Sequence, residues 1–167
     1  NANYNGSDTF TYTVANNAEV PSYSSATVSV EVLPINDAPT TAADFGTVVS
    51  TAGTSVRVLS NDNDIDGDVL KITSVNFEGA TVTDFSSSFA GSSGDPNYTG
   101  SKLTVDPTAG TINFVPDENW YKALAEGQSA TPVIQYTVAD PSGATSTNSL
   151  TINVQGINDA PEVISDA

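Results

Sequence analysis

The chain has 167 residues, with 20 Asp and Glu against 4 Lys and Arg and a formal net charge of −16. That charge repels nucleic-acid phosphates and anionic membranes, which argues against both as partners. The absence of Cys and His removes disulfides and the usual zinc, copper and iron sites, so only oxygen ligands remain, and these suit Ca2+ or Mg2+.

Residues 1–8 read as a polar loop. From Asp8, strict alternation sets Phe10, Tyr12 and Val14 on one face and Thr9, Thr11 and Thr13 on the other, which predicts a half-buried strand. Residues 16–25 are turn-rich, and 26–33 alternate again through Val28, Val30 and Val32. The two strands make a hairpin. A lone hairpin is not stable in water, so its companion strands are expected upstream, in a neighbour or in another molecule, and its open edges could recruit a partner.

Pro34 to Pro39 form a joint, short and stiff because Pro39 holds Ala38 extended. A strand is predicted over 40–49, then a turn at 51–54, with Val56 and Val58 inward and Arg57 outward. Asn61 to Asp68 is the most acidic stretch, after which Leu70 and Ile72 resume the strand pattern. Residues 77–100, with Gly91-Ser92-Ser93-Gly94 and Asp95-Pro96-Asn97, predict a long loop with room for one short strand. Strands follow at 103–105 and 111–115 around a turn at 106–110, and a helical turn is predicted within 117–126. The last strands are 133–139 and 147–155, joined by a turn that starts at Asp140-Pro141. Short strands at regular spacing, with no long amphipathic helix, predict an all-β chain: an Ig-like antiparallel β-sandwich of Greek-key type. No apolar run is long enough to span a membrane. A chain that begins in mid-module is not expected to show a signal peptide, and none is visible.

The sequence also repeats itself. Ile35-Asn36-Asp37-Ala38-Pro39 returns letter for letter as Ile157-Asn158-Asp159-Ala160-Pro161. Val28, Val30 and Val32 precede the first copy as Leu150, Ile152 and Val154 precede the second, and Phe10 to Val14 corresponds to Ile134 to Val138. The joints and the strands just before them repeat 122 residues apart and the strands upstream 124 apart, the first hairpin being two residues longer, and such a self-match is the mark of a tandem array. The expected division is 1–37 as the closing strands of one module, 38–159 as a complete module and 160–167 as the start of the next.

Two groups of residues carry candidate chemistry. Asp62, Asp64 and Asp66 followed by Gly67 match the opening of a calcium loop, in which alternate carboxylates converge before a sharp turn, and Asp68 extends the run. The twelfth position is Thr73 rather than a bidentate Glu, and the flanks are strands, so this is no EF-hand. Four Asp in seven residues repel one another unless a cation neutralises them. The joints form the second group: Asn36, Asp37, Asn158 and Asp159, with Asp140 from the loop after Tyr136 and Asp44, Glu162 and Asp166 just beyond a joint. Asn16 and Asn17 stand at the first hairpin's equivalent of Asp140. Trp120 with Tyr121 reads either as core, the commoner place for a lone Trp in a sandwich, or as a sugar-stacking pair. Asp117 and Glu118 are adjacent and face opposite ways in extended chain, a poor acid–base pair. No nucleophile has a base and no glycine-rich phosphate loop is present, so no enzymatic role is expected.

Asn3 to Val14, the Asn-Asp-Ala-Pro joints and Leu59 to Asp68 together resemble bacterial cadherin-like repeats. Ala123-Leu124-Ala125-Glu126-Gly127 before the Tyr-Thr-Val strand resembles the related repeats named for Vibrio, Colwellia, Bradyrhizobium and Shewanella. The resemblance implies an extracellular extender from a large RTX-type surface adhesin exported by type I secretion. In such an array Ca2+ rigidifies the modules and a terminal domain is held out for adhesion and biofilm formation. It implies neighbouring repeats as partners, a monomeric chain and no membrane insertion. The other readings are a glycan- or peptide-binding module using Trp120, Tyr121, Tyr98 or the 77–100 loop, and an accessory repeat of a secreted hydrolase.

Overall fold

A computed structural model describes residues 3–158. The chain divides into two compact units, one ending at Asn36 and the other beginning at Asp37.

The first unit is one antiparallel hairpin of β1 (Gly6–Ala15) and β2 (Tyr23–Val32), registered from Gly6 opposite Val32 to Ala15 opposite Tyr23. Its polar face is a hydroxyl ladder, with Thr11 3.2 Å from Thr27 and Thr13 2.7 Å from Ser25. Asn16 closes the loop, its side-chain oxygen accepting the Ser22 N–H. The other face carries Phe10, Tyr12, Val14, Val30 and Val32, all exposed.

The second unit is a two-sheet sandwich. Strands β3 (Asp44–Val49), β4 (Thr54–Arg57), β5 (Lys71–Phe77) and β6 (Ala80–Val82) come first. They are followed by β7 (Phe89–Ala90), β8 (Lys102–Asp106), β9 (Thr111–Val115), the single-turn helix α1 (Glu118–Tyr121), β10 (Ser129–Ala130), β11 (Val133–Ala139) and β12 (Thr145–Gln155). One sheet runs β10-β12-β11-β5-β6 with β3 added on β12, and the other runs β4-β9-β8-β7. Between them lies the alternate face of each strand, among others Val75, Phe77, Leu103, Ile112, Phe114, Ile134, Tyr136, Val138, Leu150, Ile152 and Val154. Phe77 and Phe114 meet edge to face at 6.1 Å, joining the two sheets at the favoured aromatic geometry. Removing these apolar faces from water is the main driving force that holds the two sheets together.

Three expectations need correction. The sheet is not wholly antiparallel, because β3 lies parallel to β12 from Asp44 opposite Leu150 to Val49 opposite Gln155. Gly46 permits this close approach, since a Cβ there would stand 2.8 Å from Ile152 and 2.9 Å from Val56. The first strand starts at Asp44 rather than Thr40, because Thr40 instead pairs its backbone with Asn63 in the acidic loop. Residues 77–100 hold two short strands, β6 and β7, and β5 turns directly into β6.

A carboxylate cluster at one end of the sandwich

Three chain segments meet near one end of the second unit. The acidic loop 61–68 leads into β5, Asp140 follows β11 beside the start of β5, and the segment before β3 reaches back to Ser146 near the start of β12, with Thr41 Oγ1 3.1 Å from Ser146 Oγ. Part of the second group of candidate ligands, Asp44 and Asp140 with the Asp37 backbone, therefore lies beside the first.

Backbone donors set each carboxylate. Asp62 Oδ1 accepts the Ala42 N–H at 2.9 Å, Asp64 Oδ1 accepts the Asp66 N–H at 2.9 Å, and Asp66 Oδ2 accepts the Asp37 N–H at 2.8 Å. The last bond ties the start of the unit to its acidic loop. Asp140 Oδ1 accepts the N–H groups of Gly143 and Ala144, an Asx arrangement that closes its own turn. Asp44 is buried, and its Oδ2 accepts a 2.6 Å hydrogen bond from the Tyr136 hydroxyl, which also lies 3.1 Å from the Ala42 carbonyl oxygen.

The second oxygens of two of these groups are left over. Asp62 Oδ2 and Asp64 Oδ2 are both buried without a hydrogen-bond partner, and Asp64 is 6% exposed. Each such orphan costs of the order of 1–3 kcal/mol unless something neutralises it. Together with Asp68, Leu59 and Leu70 they line a depression of about 350 Å³. Burial first, and Asp44 beside it, push the Asp62 carboxyl above the usual Asp range. Burial likewise raises Asp44 against the lowering effect of its Tyr136 bond. Asp68 is raised by desolvation and then by the charges of Asp64, Asp140 and Asp66. Burial and the neighbouring Asp44 together hold Tyr136 firmly protonated.

The other sequence candidates separate from this set. Asp66 is exposed and does not line the depression; its role visible here is to hold Asp37. Asn36 is the last residue of the first unit. Asn158 lies three residues beyond β12, at the opposite end: the ten steps from Thr145 to Gln155 span roughly 33 Å. Asp159, Glu162 and Asp166 fall outside the described residues. Among the described residues, no group of three or more carboxylates is arranged to enclose a metal ion outright. The donor set still suits one, since it is all oxygen, acidic and carries two unsatisfied buried oxygens.

The expectation that Trp120 belongs to the core is corrected: it is 47% exposed, while its neighbour Tyr121 is fully buried. Asp117 explains the exchange. Its carboxylate caps α1 by accepting the Asn119 and Trp120 N–H groups, and the turn this starts points Tyr121 rather than Trp120 inward.

Comparison with known proteins decides the family. Residues 36–156, well over half of the chain, match the model of the bacterial cadherin-like domain. The chain belongs to that family. Among solved structures, it is similar to protocadherin gamma B7 domains EC3–6 in a cis-dimer structure, at 15% identity and TM-score 0.52, covering 90% of this chain and 32% of that one. It is also similar to the extracellular cadherin domains 1–5 of protocadherin gamma B2, at 16% identity and TM-score 0.52, covering 94% and 27%. A nucleoside hydrolase-related hypothetical protein from Saccharophagus degradans matches at 18% identity and TM-score 0.44, over 73% and 26%. The chain thus spans about a third or less of the length of each. No curated protein matches it. The bacterial cadherin-like domain is a structural, adhesion-type fold rather than a catalytic one; such domains generally bind calcium, commonly act in tandem and go with an extracellular setting. No helix among the described residues is long and apolar enough to cross a membrane.

Proposed function

We propose that this chain is a calcium-stiffened extender from a large secreted bacterial adhesin of the RTX type, exported by type I secretion and serving cell adhesion and biofilm formation. In this reading residues 38–159 are a complete repeat, 1–37 close the preceding repeat, and 160–167 open the next. The observation that carries it is the pair of buried, partnerless oxygens on Asp62 and Asp64 in a cluster of carboxylates. A folded protein keeps such a cluster at a cost unless a cation belongs there. Asp62, Asp64, Asp68, Asp44 and Asp140 would hold Ca2+ at this end, with Asn36, Asp37 and Asp66 at the adjoining joint. Asn158 and Asp159 would serve the next joint in the same way. Bound Ca2+ supplies positive charge that cancels the repulsion among these groups. The Asp66 carboxylate, already on the Asp37 backbone, then links the acidic loop to the linker and limits bending there.

Thermal unfolding in EDTA, in millimolar Ca2+ and in Mg2+ at equal ionic strength tests this. With an extracellular-type affinity near 10⁻⁴ M, about 10 mM Ca2+ stabilises by about 2.7 kcal/mol, which is a rise of about 10 °C for a module of this size. Equal midpoints in Ca2+ and Mg2+ would reduce the effect to charge screening and remove the proposal.

A further inference from the structure

A second depression in the same unit shares no residue with the carboxylate cluster. It has a volume of about 510 Å³ and is built by the tip of the β5–β6 hairpin, the 95–99 segment, Trp120–Tyr121 and residues 130–133. That size suits a small ligand or one long side chain. Its walls are apolar, with Phe77, Pro132, Val133 and the exposed Trp120, and its polar rim holds the carboxylates of Glu78 and Asp95. None of its lining residues is basic.

Glu78 is held there against its backbone preference. Glu78 at φ 46 and Gly79 at φ 75 form the centre of a two-residue hairpin turn of type I′. Glycine or asparagine suits both positions, and a glutamate Cβ in the left-handed region is strained. Both Glu78 oxygens are fixed by Thr99, one on its N–H at 2.9 Å and one on its hydroxyl at 2.5 Å. Across the rim, Asp95 Oδ1 accepts the Asn97 N–H at 2.7 Å, and no intramolecular bond is made to Oδ2 among the described residues. Glycines make room for both groups: a Cβ at Gly79 would lie 2.8 Å from Asp95 Oδ2, and one at Gly91 would collide with Glu78. At the base, the buried Tyr121 hydroxyl faces the Thr99 and Ser101 side chains without a well-formed hydrogen bond.

We infer that this pocket takes a cationic side chain, the ammonium of lysine or the guanidinium of arginine, presented by a partner polypeptide. The aliphatic stem packs on Phe77, Pro132 and Val133, and the charged head sits at the Trp120 ring between Glu78 and Asp95. A net charge of −16 draws such groups in from a distance. A neutral sugar could stack on Trp120 but would leave two carboxylates without a counter-charge.

Trp120 is the only tryptophan, so fluorescence excited at the red edge, where tyrosine does not absorb, reports this pocket. The 167-residue chain, in Ca2+ throughout, is titrated with Nα-acetyl-lysine amide, its arginine counterpart, a short lysine-bearing peptide, the neutral isostere Nα-acetyl-norleucine amide, and maltose. The expected result is a saturable change with the cationic compounds, tightest for the peptide, and none with norleucine amide. Asp95→Asn should weaken it about tenfold, the loss of one charge-assisted contact. Glu78→Gly should also weaken it while shifting the thermal midpoint little, because relief of the strained turn offsets the loss of the two Thr99 bonds. Equal responses to lysine and norleucine amides would leave a plain apolar cleft. A response to maltose alone would make this a carbohydrate site, and a Glu78→Gly protein with a lower midpoint and unchanged binding would make Glu78 purely structural. Each of these overturns the inference.

Discussion

At the scale of single residues, the same physical cost recurs in two forms, once on a neutral hydroxyl and once on a carboxylate. Tyr121 buries a hydroxyl that makes no well-formed hydrogen bond, with Thr99 and Ser101 as its polar neighbours, so Tyr121→Phe removes mainly a desolvated group. Its stability should be unchanged or higher by up to about 1 kcal/mol, read as the midpoint of urea unfolding. Asp64 also buries an orphan oxygen, but as a carboxylate among carboxylates. In EDTA, Asp64→Asn should therefore raise the thermal midpoint, and in Ca2+ it should lose most of the metal-dependent rise. A variant less stable than wild type in EDTA would show that the Asp66 N–H bond, not repulsion, governs this position. Phe114→Ala is the reference for ordinary core loss, with about 3–5 kcal/mol expected from an emptied site against Phe77.

Between elements, the comparison of β1–β2 with β11–β12 is the informative one. The repeat pairs Phe10, Tyr12 and Val14 with Ile134, Tyr136 and Val138, yet the first set is exposed and the second buried. Alternation states which face wants to be covered and is silent about what covers it. Backbone amides of β1 and β2 should accordingly exchange with solvent orders of magnitude faster than those of β11 and β12. Equal protection of the two hairpins would mean that the first one's apolar face is covered in solution. Most strands are readable from alternation and turn chemistry. The parallel β3 is not, because its direction depends on β12, about a hundred residues away, and on Gly46 leaving room at the seam. The candidate site is legible as a local run at 62–68; its meeting with Asp44 through Tyr136 rests on a contact between distant strands. The place of Trp120 escapes a sequence reading because one Asp cap decides which of two adjacent aromatics turns inward.

For the whole molecule, the raised carboxyls set the response to acid. Asp44, Asp62 and Asp68 stand above the ordinary Asp value in the fold, so their protonated forms favour folding. Their contribution is full below the unfolded value near 3.9 and is lost as pH rises through the raised folded values. Calcium-free protein should thus gain stability from these groups as pH falls from neutrality toward that range, whereas with Ca2+ the same acidification should cost stability because protons displace the metal. Melting curves at several pH values with and without EDTA read both slopes, and parallel slopes would disconnect the cluster from calcium.

The parallel seam has a mechanical meaning as well. Because β3 and β12 run the same way, tension applied through the linkers before Asp44 and after Gln155 pulls them past each other along their length. All the hydrogen bonds of that ladder then share the load and must yield together. The β1–β2 hairpin has the opposite geometry: Gly6 and Val32 are paired neighbours, so tension applied there opens one bond after another. A chain stretched between fixed points would peel the hairpin at low force and hold at the seam until the sandwich fails as a whole.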